Sequence, residues 1–331
     1  MVESGYHFFR GGDYSVDEAV KELILQKARQ IFWNTYILNS LERILGGAQK
    51  YTYLATASNG FKFIVYIWDK STSYFSYDNP DAVFVSSSAE LFELNNKLMT
   101  KYGINVPKLY YMDRSRIEQP YDYALVEYIE GVDMDEVIAR QPQRLEKVLV
   151  SLKRNIDQLH HIKCKEIGQL NRFQPTTFNL IEFSLKDAQE NIDYLIQVDD
   201  KNKELYLKVS KMLEQLSQRM SKRDEYTFIH GELGPNHVIV DKDDEAFLID
   251  IEGAKYADIE EEASFLKIRF GSYYDELVNE TLDLNRMTFN HLCHCIGNLS
   301  GALELKSKNY YDMDDVNGMI VYFIGLLRNV V

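Results

Sequence analysis

The sequence contains few cysteines, few prolines and fewer basic than acidic side chains. Its 331 residues include three cysteines and six prolines, and 37 lysines and arginines stand against 51 acidic residues, a formal net charge of −14. Three cysteines cannot build the disulfide framework of a small secreted protein, so we expect a reducing compartment. The acidic balance argues against a protein that mainly binds nucleic acid or an anionic membrane, because both select basic surfaces.

Long apolar segments are also missing. The longest apolar run extends from Met319 to Leu327, well short of the roughly 20 residues that a helix needs to span a bilayer. The first residues show no basic segment followed by an apolar stretch, so no secretory signal is expected. We therefore expect a cytoplasmic protein with no membrane partner and no nucleic-acid partner. The oligomeric state stays open.

The composition is that of a globular protein, and its character changes along the chain. Apolar residues make up 45% and charged residues 27%, which is typical of a packed domain. Strand patterns dominate from about residue 40 to 130, and amphipathic helical patterns follow, with a β-rich patch near 226–250. We expect an α+β protein of two lobes. Residues 1–131 would form a small antiparallel sheet with one helix, preceded by a helical segment, and residues 132–331 a mostly helical lobe.

The strands of the first lobe are marked by turn signals. Tyr51–Thr56 and Phe61–Trp68 are rich in β-branched and aromatic residues, and Asn59–Gly60 between them predicts a hairpin. Serines at 86–88 offer N-caps for a helix that continues to Gly103. A further strand is expected at Tyr123–Ile129. The lobe would thus be a small sheet with one helix packed on it.

The second lobe is expected to be built from long helices. Amphipathic patterns cover about 143–165, 175–197 and 201–221. We expect the strand before this lobe to end at Gly131 and a helix to start at Asp133.

Polar residues that could take part in catalysis or metal binding lie at the ends of two short apolar strands near residues 228–252. These residues are Glu232, Asn236, His237 and Asp250. A tight connection between the strands would bring a general base, a neutral ligand and a carboxylate to one edge of a sheet. That combination suits a divalent metal and an attacking hydroxyl, as in phosphoryl transfer. Ordinary turn residues are the alternative interpretation, since Gly231, Gly234 and Pro235 are common turn formers.

The same stretch resembles the aminoglycoside phosphotransferase and choline kinase family, whose members have a protein-kinase-like fold and phosphorylate hydroxyls of small molecules. The family pattern H-G-D, then N, then an apolar strand ending in D is similar to His230-Gly231-Glu232, Asn236-His237 and Leu248-Ile249-Asp250. The family's next feature, G-D-x-x-x-D-L-A, is similar to Ala257–Ser264. The resemblance extends over most of the chain, because the N-terminal elements occur in the family order.

The resemblance implies a role for each matching residue. Glu232 stands at the position of the catalytic aspartate, which would orient the acceptor hydroxyl and take its proton. Asp250 matches the aspartate that binds Mg²⁺ next to the nucleotide phosphates. Asn236 and His237 compete for the second metal position. ATP or GTP would be the phosphoryl donor, and a small molecule the acceptor.

The nucleotide pocket implied by the resemblance lies in the first lobe. The loop Gly46, Gly47, Ala48 and Gln49 would face the phosphates, where small residues let backbone N–H groups approach. The strand ending at 127–129 matches the hinge, so we expect adenine to contact the Glu127 carbonyl and the Ile129 amide. Ile249 would form part of the apolar floor under the base.

The chain departs from the family pattern in two places. Glu232 replaces aspartate, and the extra methylene extends the side chain by about 1.5 Å, one C–C bond. Tyr66 occupies the third-strand position where kinase-like folds carry a lysine or arginine that holds the phosphates. Lys62 lies on the same strand face and is our candidate substitute. Glu90 is the candidate helix partner, with Glu93 in reserve.

Two functions follow from this pattern. The first is an ATP- or GTP-dependent phosphotransferase that acts on a hydroxyl of an aminoglycoside-like or other small hydroxylated compound. An acidic cleft would suit a cationic acceptor. The alternative is a catalytically weak pseudokinase or nucleotide-binding regulatory module, favoured by Glu232 and Tyr66. Nucleotide binding without turnover would distinguish the second from the first.

Overall fold

The computed structural model describes residues 18–44, 50–69, 83–85, 88–308 and 313–330. The α-helices are α1 Glu18–Ile31, α2 Ala89–Lys101, α3 Met134–Arg140, α4 Leu145–His160, α5 Leu180–Val198, α6 Lys203–Ser217, α7 Ile259–Phe270, α8 Tyr274–Leu277, α9 Leu284–Ser307 and α10 Met313–Val330. The strands are β1 Leu38–Ile44, β2 Tyr51–Ala57, β3 Lys62–Trp68, β4 Leu109–Asp113, β5 Asp122–Glu127, β6 Gly131–Asp133, β7 Lys163–Cys164, β8 Gly168–Gln169, β9 Arg172–Phe173, β10 Tyr226–Ile229, β11 Val238–Asp241, β12 Ala246–Leu248 and β13 Lys255–Ala257.

The N-terminal sheet has the order β1-β2-β3-β5-β4, and its neighbouring strands are antiparallel. The predicted hairpin is confirmed: β2 pairs with β3, with Thr52 opposite Tyr66. Gly60 in the connecting turn has a φ of 85°, which glycine adopts without steric cost. The Asn59 side chain accepts a hydrogen bond from the Phe61 amide at 3.1 Å. The turn residues therefore fix the register of this pair.

Strand β3 buries both of its faces. Phe63, Val65 and Ile67 belong to one apolar cluster with Ile24 and Ala28 of α1. The alternate residues face α2, where the rings of Tyr66 and Trp68 lie 5.4 Å and 5.5 Å from that of Phe92. The predicted helix is confirmed as α2, and the Ser88 side chain caps it by accepting from the Leu91 amide. This is why β3 is almost continuously apolar instead of alternating.

The segment around Gly131 differs from the prediction. The strand β5 ends at Glu127, and Gly131 begins the separate strand β6, which pairs with β11 through Val132 and Val240. A Cβ atom on Gly131 would overlap the Val240 carbonyl oxygen, so the close pairing of β6 and β11 requires glycine here. The helix α3 begins one residue later than expected, because Asp133 is its N-cap and accepts from the Glu136 amide at 2.8 Å.

The described residues form two compact units. The first unit comprises the described residues within Met1–His161, together with Gln169–Arg172 and Gly234–Ala254. The second unit comprises Ile162–Gly168, Phe173–Leu233 and the described residues within Lys255–Val331. The first unit includes chain on both sides of residue 131, and the lobe boundary that we expect there stays a prediction. In the first unit, β6 and β12 also flank β11 in a three-stranded sheet.

The second unit is mainly helical, and the prediction of a mostly helical remainder after the N-terminal sheet is confirmed. Its apolar core is made by α5, α6, α9 and α10, with Tyr206, Phe289 and Leu299 among the buried side chains. In its small sheet, β10 lies between β7 and β13, and Thr227 of β10 is opposite Ala257 of β13. No helix among the described residues is long and apolar enough to cross a membrane.

Candidate active site

Asp250 occupies a backbone conformation that is rare for a residue with a side chain. It lies two residues after the end of β12 and has φ 58° and ψ 47°, in the left-handed region. Such a conformation costs about 1–2 kcal/mol for most L-residues, although aspartate tolerates it better. The preceding residue, Ile249, is fixed by a 3.0 Å hydrogen bond from its amide to the carbonyl of His237, the residue just before β11. Strain at a strand end is typical of functional positions.

The Asp250 carboxylate forms an ion-pair cluster with two other residues of the first unit. The Lys50 Nζ atom lies 2.6 Å from Asp250 Oδ1 and 2.6 Å from Glu252 Oε1. The side chains of Lys50 and Glu252 are 11% and 3% exposed, whereas that of Asp250 is 40% exposed. One amine thus joins two carboxylates, and only Asp250 reaches substantially into solvent.

The charges of this cluster stabilise one another. Burial by itself lowers the pKa of Lys50, but the negative charges of Asp250 and Glu252 outweigh burial, so the pKa of this amine is raised and it stays protonated. Burial raises the pKa of Glu252, and Lys50 opposes that rise. With one cation against two carboxylates, the cluster carries 1 − 2 = −1 when all three groups are charged.

Tyr66 lies beside the amine. Lys50 Nζ is 5.0 Å from the centre of the Tyr66 ring, within the range of a cation–π contact. The two residues share one face of the sheet, because Tyr66 pairs with Thr52, two positions after Lys50. Burial raises the pKa of Tyr66 to about 12, so its hydroxyl is neutral at ordinary pH. The third-strand position is therefore filled by a ring packed against Lys50, the residue just before β2.

The helix α2 holds the segment after Asp250 in place. The Asn95 side chain is fully buried, and its Nδ2 atom donates to the Ile251 carbonyl at 2.7 Å. A second, longer contact of 3.4 Å reaches the Glu252 carbonyl. Asn95 thus fixes the backbone that carries both carboxylates of the cluster.

Lys62 and Glu90, the cation and helix partner expected from the sequence, do not meet. Lys62 Nζ lies 5.2 Å over the Tyr128 ring. Glu90 accepts hydrogen bonds from Arg114 at 3.0 Å and Asn171 at 3.1 Å. The hydrogen bond from Asn171, followed by that from Arg114, lowers the pKa of Glu90. The amine beside Asp250 belongs to Lys50, and its second partner is Glu252.

The reserve candidate Glu93 is also engaged elsewhere. It pairs with Arg114 at 3.1 Å and with Lys97 at 2.6 Å on the surface of α2. Exposed pairs of this kind contribute little to stability.

The two candidates for the second metal position differ in their surroundings. His237 Nε2 lies 3.4 Å from Asp250 Oδ2, whereas Asn236 is exposed on the preceding three-ten turn. Among the described residues, no group of three or more histidine, cysteine, aspartate or glutamate side chains is arranged to hold a metal. Mg²⁺ does not require one, since it keeps several waters and takes few protein carboxylates.

The donor set around Asp250 fits a magnesium-nucleotide complex. Carboxylate oxygens are the ligands that Mg²⁺ prefers, and Asp250 presents them at an open position. The Glu252 Oε2 atom is buried and has no hydrogen-bond partner within the described part of the chain. Asp250 would hold the ion, and His237 or Asn236 would assist.

The expected hinge residues lie at the end of β5. The Glu127 amide donates to the Lys108 carbonyl at 2.8 Å, and its side chain accepts from the Lys108 amide at 3.0 Å. Ile129 is buried and Ile249 is half-buried. The expected phosphate loop of Gly46, Gly47, Ala48 and Gln49 lies outside the described residues. The adenine contacts expected here stay predictions.

Glu232 belongs to the second unit, on the loop after β10. Gly231 before it has a φ of 87°, which favours glycine, and its amide donates to Glu262 Oε2 at 2.8 Å. The Glu232 amide lies 3.4 Å from Nδ1 of the buried His230. A buried glutamate of α7 and a buried histidine thus fix the backbone on which Glu232 stands.

Three residues of this arrangement were missed by sequence reasoning: Lys50, Glu252 and Asn95. A usable signal existed for Lys50, since it is the first cation after the glycine loop and shares a strand face with Tyr66. For Glu252 the available signal was its position two residues after Asp250. Nothing in the sequence distinguishes Asn95 from the other polar residues of α2.

The antiparallel sheet, the helix packed on it and the helical remainder define a protein-kinase-like fold. The chain belongs to the phosphotransferase enzyme family, whose sequence profile matches residues 40–283. The resemblance inferred from the motifs around Asp250 is thereby confirmed. No curated protein sequence matches this chain significantly.

Solved structures share the fold over nearly the whole chain. Aminoglycoside phosphotransferase APH(4)-Ia is similar with a TM-score of 0.65 and 14% identity, covering 96% of this chain and 100% of that one. A thermostable mutant of the same enzyme, in ternary complex with ADP and hygromycin B, has a TM-score of 0.63 and 13% identity, covering 94% and 98%. Choline kinase LicA from Streptococcus pneumoniae has a TM-score of 0.60 and 17% identity, covering 94% and 99%.

Proposed function

We propose that this protein transfers the γ-phosphoryl group of ATP or GTP to a hydroxyl of a small molecule, with Mg²⁺ as cofactor. The observation that carries the proposal is the Asp250 carboxylate, which is 40% exposed to solvent and contacts Lys50 and His237. Its residue has a left-handed backbone conformation. Family membership supports the same reaction class. The ADP in the ternary complex of a structural relative supports a nucleotide donor.

Each residue has a distinct role in this proposal. Mg²⁺, when bound, neutralises charge on the phosphates. Asp250 would hold and orient the metal ion, and His237 or Asn236 would assist it. Glu232 accepts the proton of the acceptor hydroxyl as its oxygen forms the new bond to the γ-phosphorus. The bond from that phosphorus to the bridging oxygen breaks, and the nucleoside diphosphate leaves.

The acceptor is proposed from chemistry and from the structural relatives. Those relatives include a complex with hygromycin B and a choline kinase, so an aminoglycoside-like or other small hydroxylated compound is the first class to test. The net charge of −14 is compatible with a cationic acceptor.

A nucleotide-binding regulatory module is the second candidate. The observation in its favour is Glu232, which replaces the aspartate of the family pattern. A misplacement of about 1 Å at a reacting group can reduce the rate about 10²-fold. The fold and the Asp250 cluster would then serve binding alone.

The decisive experiment has two stages. Melting temperatures measured with Mg-ATP, Mg-GTP and Mg²⁺ alone should show stabilisation by one of the triphosphates, because a ligand that binds only the native state stabilises it. A coupled kinase assay over aminoglycosides, macrolides, choline and amino sugars then identifies the acceptor. Stabilisation without turnover on any acceptor would favour the regulatory module, and no stabilisation would contradict both candidates.

A further inference from the structure

The amine in the Asp250 cluster has no role in the family pattern, where a lysine or arginine of the third strand holds the phosphates. We infer that Lys50, the residue just before β2, is the phosphate-binding cation of this protein and that Glu252 positions it. The inference rests on the proposed function and names a residue of the same site.

The first argument is distance. Lys50 Nζ lies 2.6 Å from the carboxylate proposed to bind the metal. A phosphate oxygen that shares a magnesium ion with Asp250 must lie within a few ångströms of that carboxylate, since Mg²⁺ binds its ligands at about 2.0–2.1 Å. An amine at this position can reach the phosphate without leaving Glu252.

The second argument is the number of donors. An ammonium group has three N–H donors, and within the described residues Lys50 uses two of them, toward Asp250 and Glu252. The Tyr66 ring lies 5.0 Å away and restricts where the amine can move. One donor is therefore left for a phosphate oxygen.

The third argument is charge. Lys50 and Glu252 are buried and opposite in charge, whereas the second carboxylate, Asp250, is 40% exposed and lies 3.4 Å from His237 Nε2. When the amine and both carboxylates are ionised, the three groups have a surplus of 2 − 1 = 1 negative charge on the solvent side of the cluster. A bound divalent ion would compensate the surplus, and Lys50 would then be able to share its charge with the phosphates.

Lys62 is the competing cation, and its position disfavours it. It precedes Tyr66 by four residues, which is about 13 Å along a strand. Its amine lies 5.2 Å over the Tyr128 ring. The two assignments therefore differ in a measurable way: replacing the lysine that contacts the phosphates should weaken triphosphate binding, and replacing the other should not.

The test measures dissociation constants by calorimetry for the triphosphate that stabilises the wild type and for the matching nucleoside. Lys50→Met should weaken the Mg-triphosphate roughly 10- to 100-fold, the range expected for hydrogen bonds to a charged group. Nucleoside affinity should stay at its wild-type value, because only the phosphates contact the amine. Lys97→Met is the matched control, since that lysine is exposed on α2.

Two double variants separate a binding role from a structural one. Lys50→Met/Glu252→Gln removes one positive and one negative charge together, so its melting temperature should return toward that of the wild type while triphosphate affinity stays low. Lys50→Met/Tyr66→Lys places an amine on the third strand and should restore part of the triphosphate affinity.

Several results would overturn the assignment. Triphosphate affinity at the wild-type level in Lys50→Met/Glu252→Gln would show that the amine is structural. Equal losses of triphosphate and nucleoside affinity in that variant would do the same. A loss confined to Lys62→Met would assign the phosphate contact to Lys62. A wild-type protein that binds no triphosphate would contradict the proposed function itself, and the wild-type measurement keeps that outcome distinct.

Discussion

The Asn95 side chain of α2 donates a 2.7 Å hydrogen bond to the carbonyl oxygen of Ile251. This contact joins the helix packed on the N-terminal sheet to the short segment that carries both acidic residues of the Asp250 cluster. Because the contact is buried, its loss removes one of the two hydrogen bonds that this carbonyl accepts, the other coming from the Ala254 amide at 3.2 Å.

Asn95→Ala should therefore reduce both stability and nucleotide affinity. We expect a loss of about 0.5–1.5 kcal/mol in the free energy of unfolding, the net contribution of one hydrogen bond. The neighbouring Asn96 provides a matched control, because its side chain donates to the Pro107 carbonyl at 2.8 Å and is also buried. Asn96→Ala should lower stability alone. Equal nucleotide affinities for the two variants in calorimetry would contradict the proposed link to the site.

Replacing Asp250 should abolish the magnesium dependence of nucleotide binding. Asp250→Asn keeps a residue that tolerates the left-handed backbone, so it isolates the loss of charge. Asp250→Ala should in addition lose about 1 kcal/mol of stability from the strained backbone. The measurement is nucleotide affinity with Mg²⁺ and with EDTA. If magnesium strengthens binding to Asp250→Asn as much as to the wild type, the metal assignment is wrong.

Replacing Glu232 should affect turnover and spare nucleotide binding. Glu232→Gln removes the proton acceptor, and we expect kcat to fall by about 10²- to 10⁴-fold. Glu232→Asp restores the residue of the family pattern but shortens the side chain by one C–C bond, about 1.5 Å. If the loop is adapted to glutamate, this variant should also be slow. Unchanged kcat in Glu232→Gln would exclude Glu232 as the base.

Gly131→Ala should destabilise the pairing of β6 with β11. The added methyl group would overlap the Val240 carbonyl oxygen, a rigid backbone atom. We expect a loss of about 1–3 kcal/mol, the range for overpacked sites. Gly301→Ala in α9 is the control, because a Cβ there meets nothing within 4 Å; it should gain about 0.5–1 kcal/mol from helix propensity. Urea unfolding curves measure both, and equal stabilities would contradict the steric argument.

Lowering the pH should destabilise the first unit, in part because Glu245 becomes protonated. Hydrogen bonds from Ser151, and then the contact with Arg154, hold the pKa of this carboxylate below its ordinary value of 4.5. A lowered folded-state pKa means that the stabilisation is present above the unfolded-state pKa and is lost as pH falls through the folded-state value. Unfolding midpoints of the wild type should therefore decline more steeply below pH 4.5 than those of Glu245→Gln. Parallel declines would exclude Glu245 from the acid response.

The sequence predicted the elements better than the contacts between them. Asn59–Gly60 and Ser88 are local signals, since a turn or a helix cap depends on residues a few positions apart, and both are confirmed. The short strand β6 was missed because its partner β11 lies about a hundred residues away in the chain. Pairing at that separation leaves no local pattern.

The same difference explains the cation beside Asp250. Lys62 was chosen by strand periodicity, and periodicity does assign it to the face of Tyr66. Which amine reaches a distant carboxylate depends on packing, and Lys50 reaches it across 200 residues of chain. Glu90 was predicted to pair with a lysine, but Arg114 lies closer to it in the folded chain. Which cation pairs with which carboxylate is therefore decided by the residues that lie close together in the folded chain, and local sequence patterns do not show this.

The separation of Lys50 from Asp250 also has a consequence during synthesis. A ribosome adds about 5–20 residues per second, so the carboxylates are made roughly 10–40 s after the amine that joins them. Until then β2 and β3 can pair, but the lysine side chain stays hydrated and has neither acidic partner. The cluster therefore forms late on the nascent chain, and a translational pause between the two segments would prolong the interval in which the first unit is unfinished.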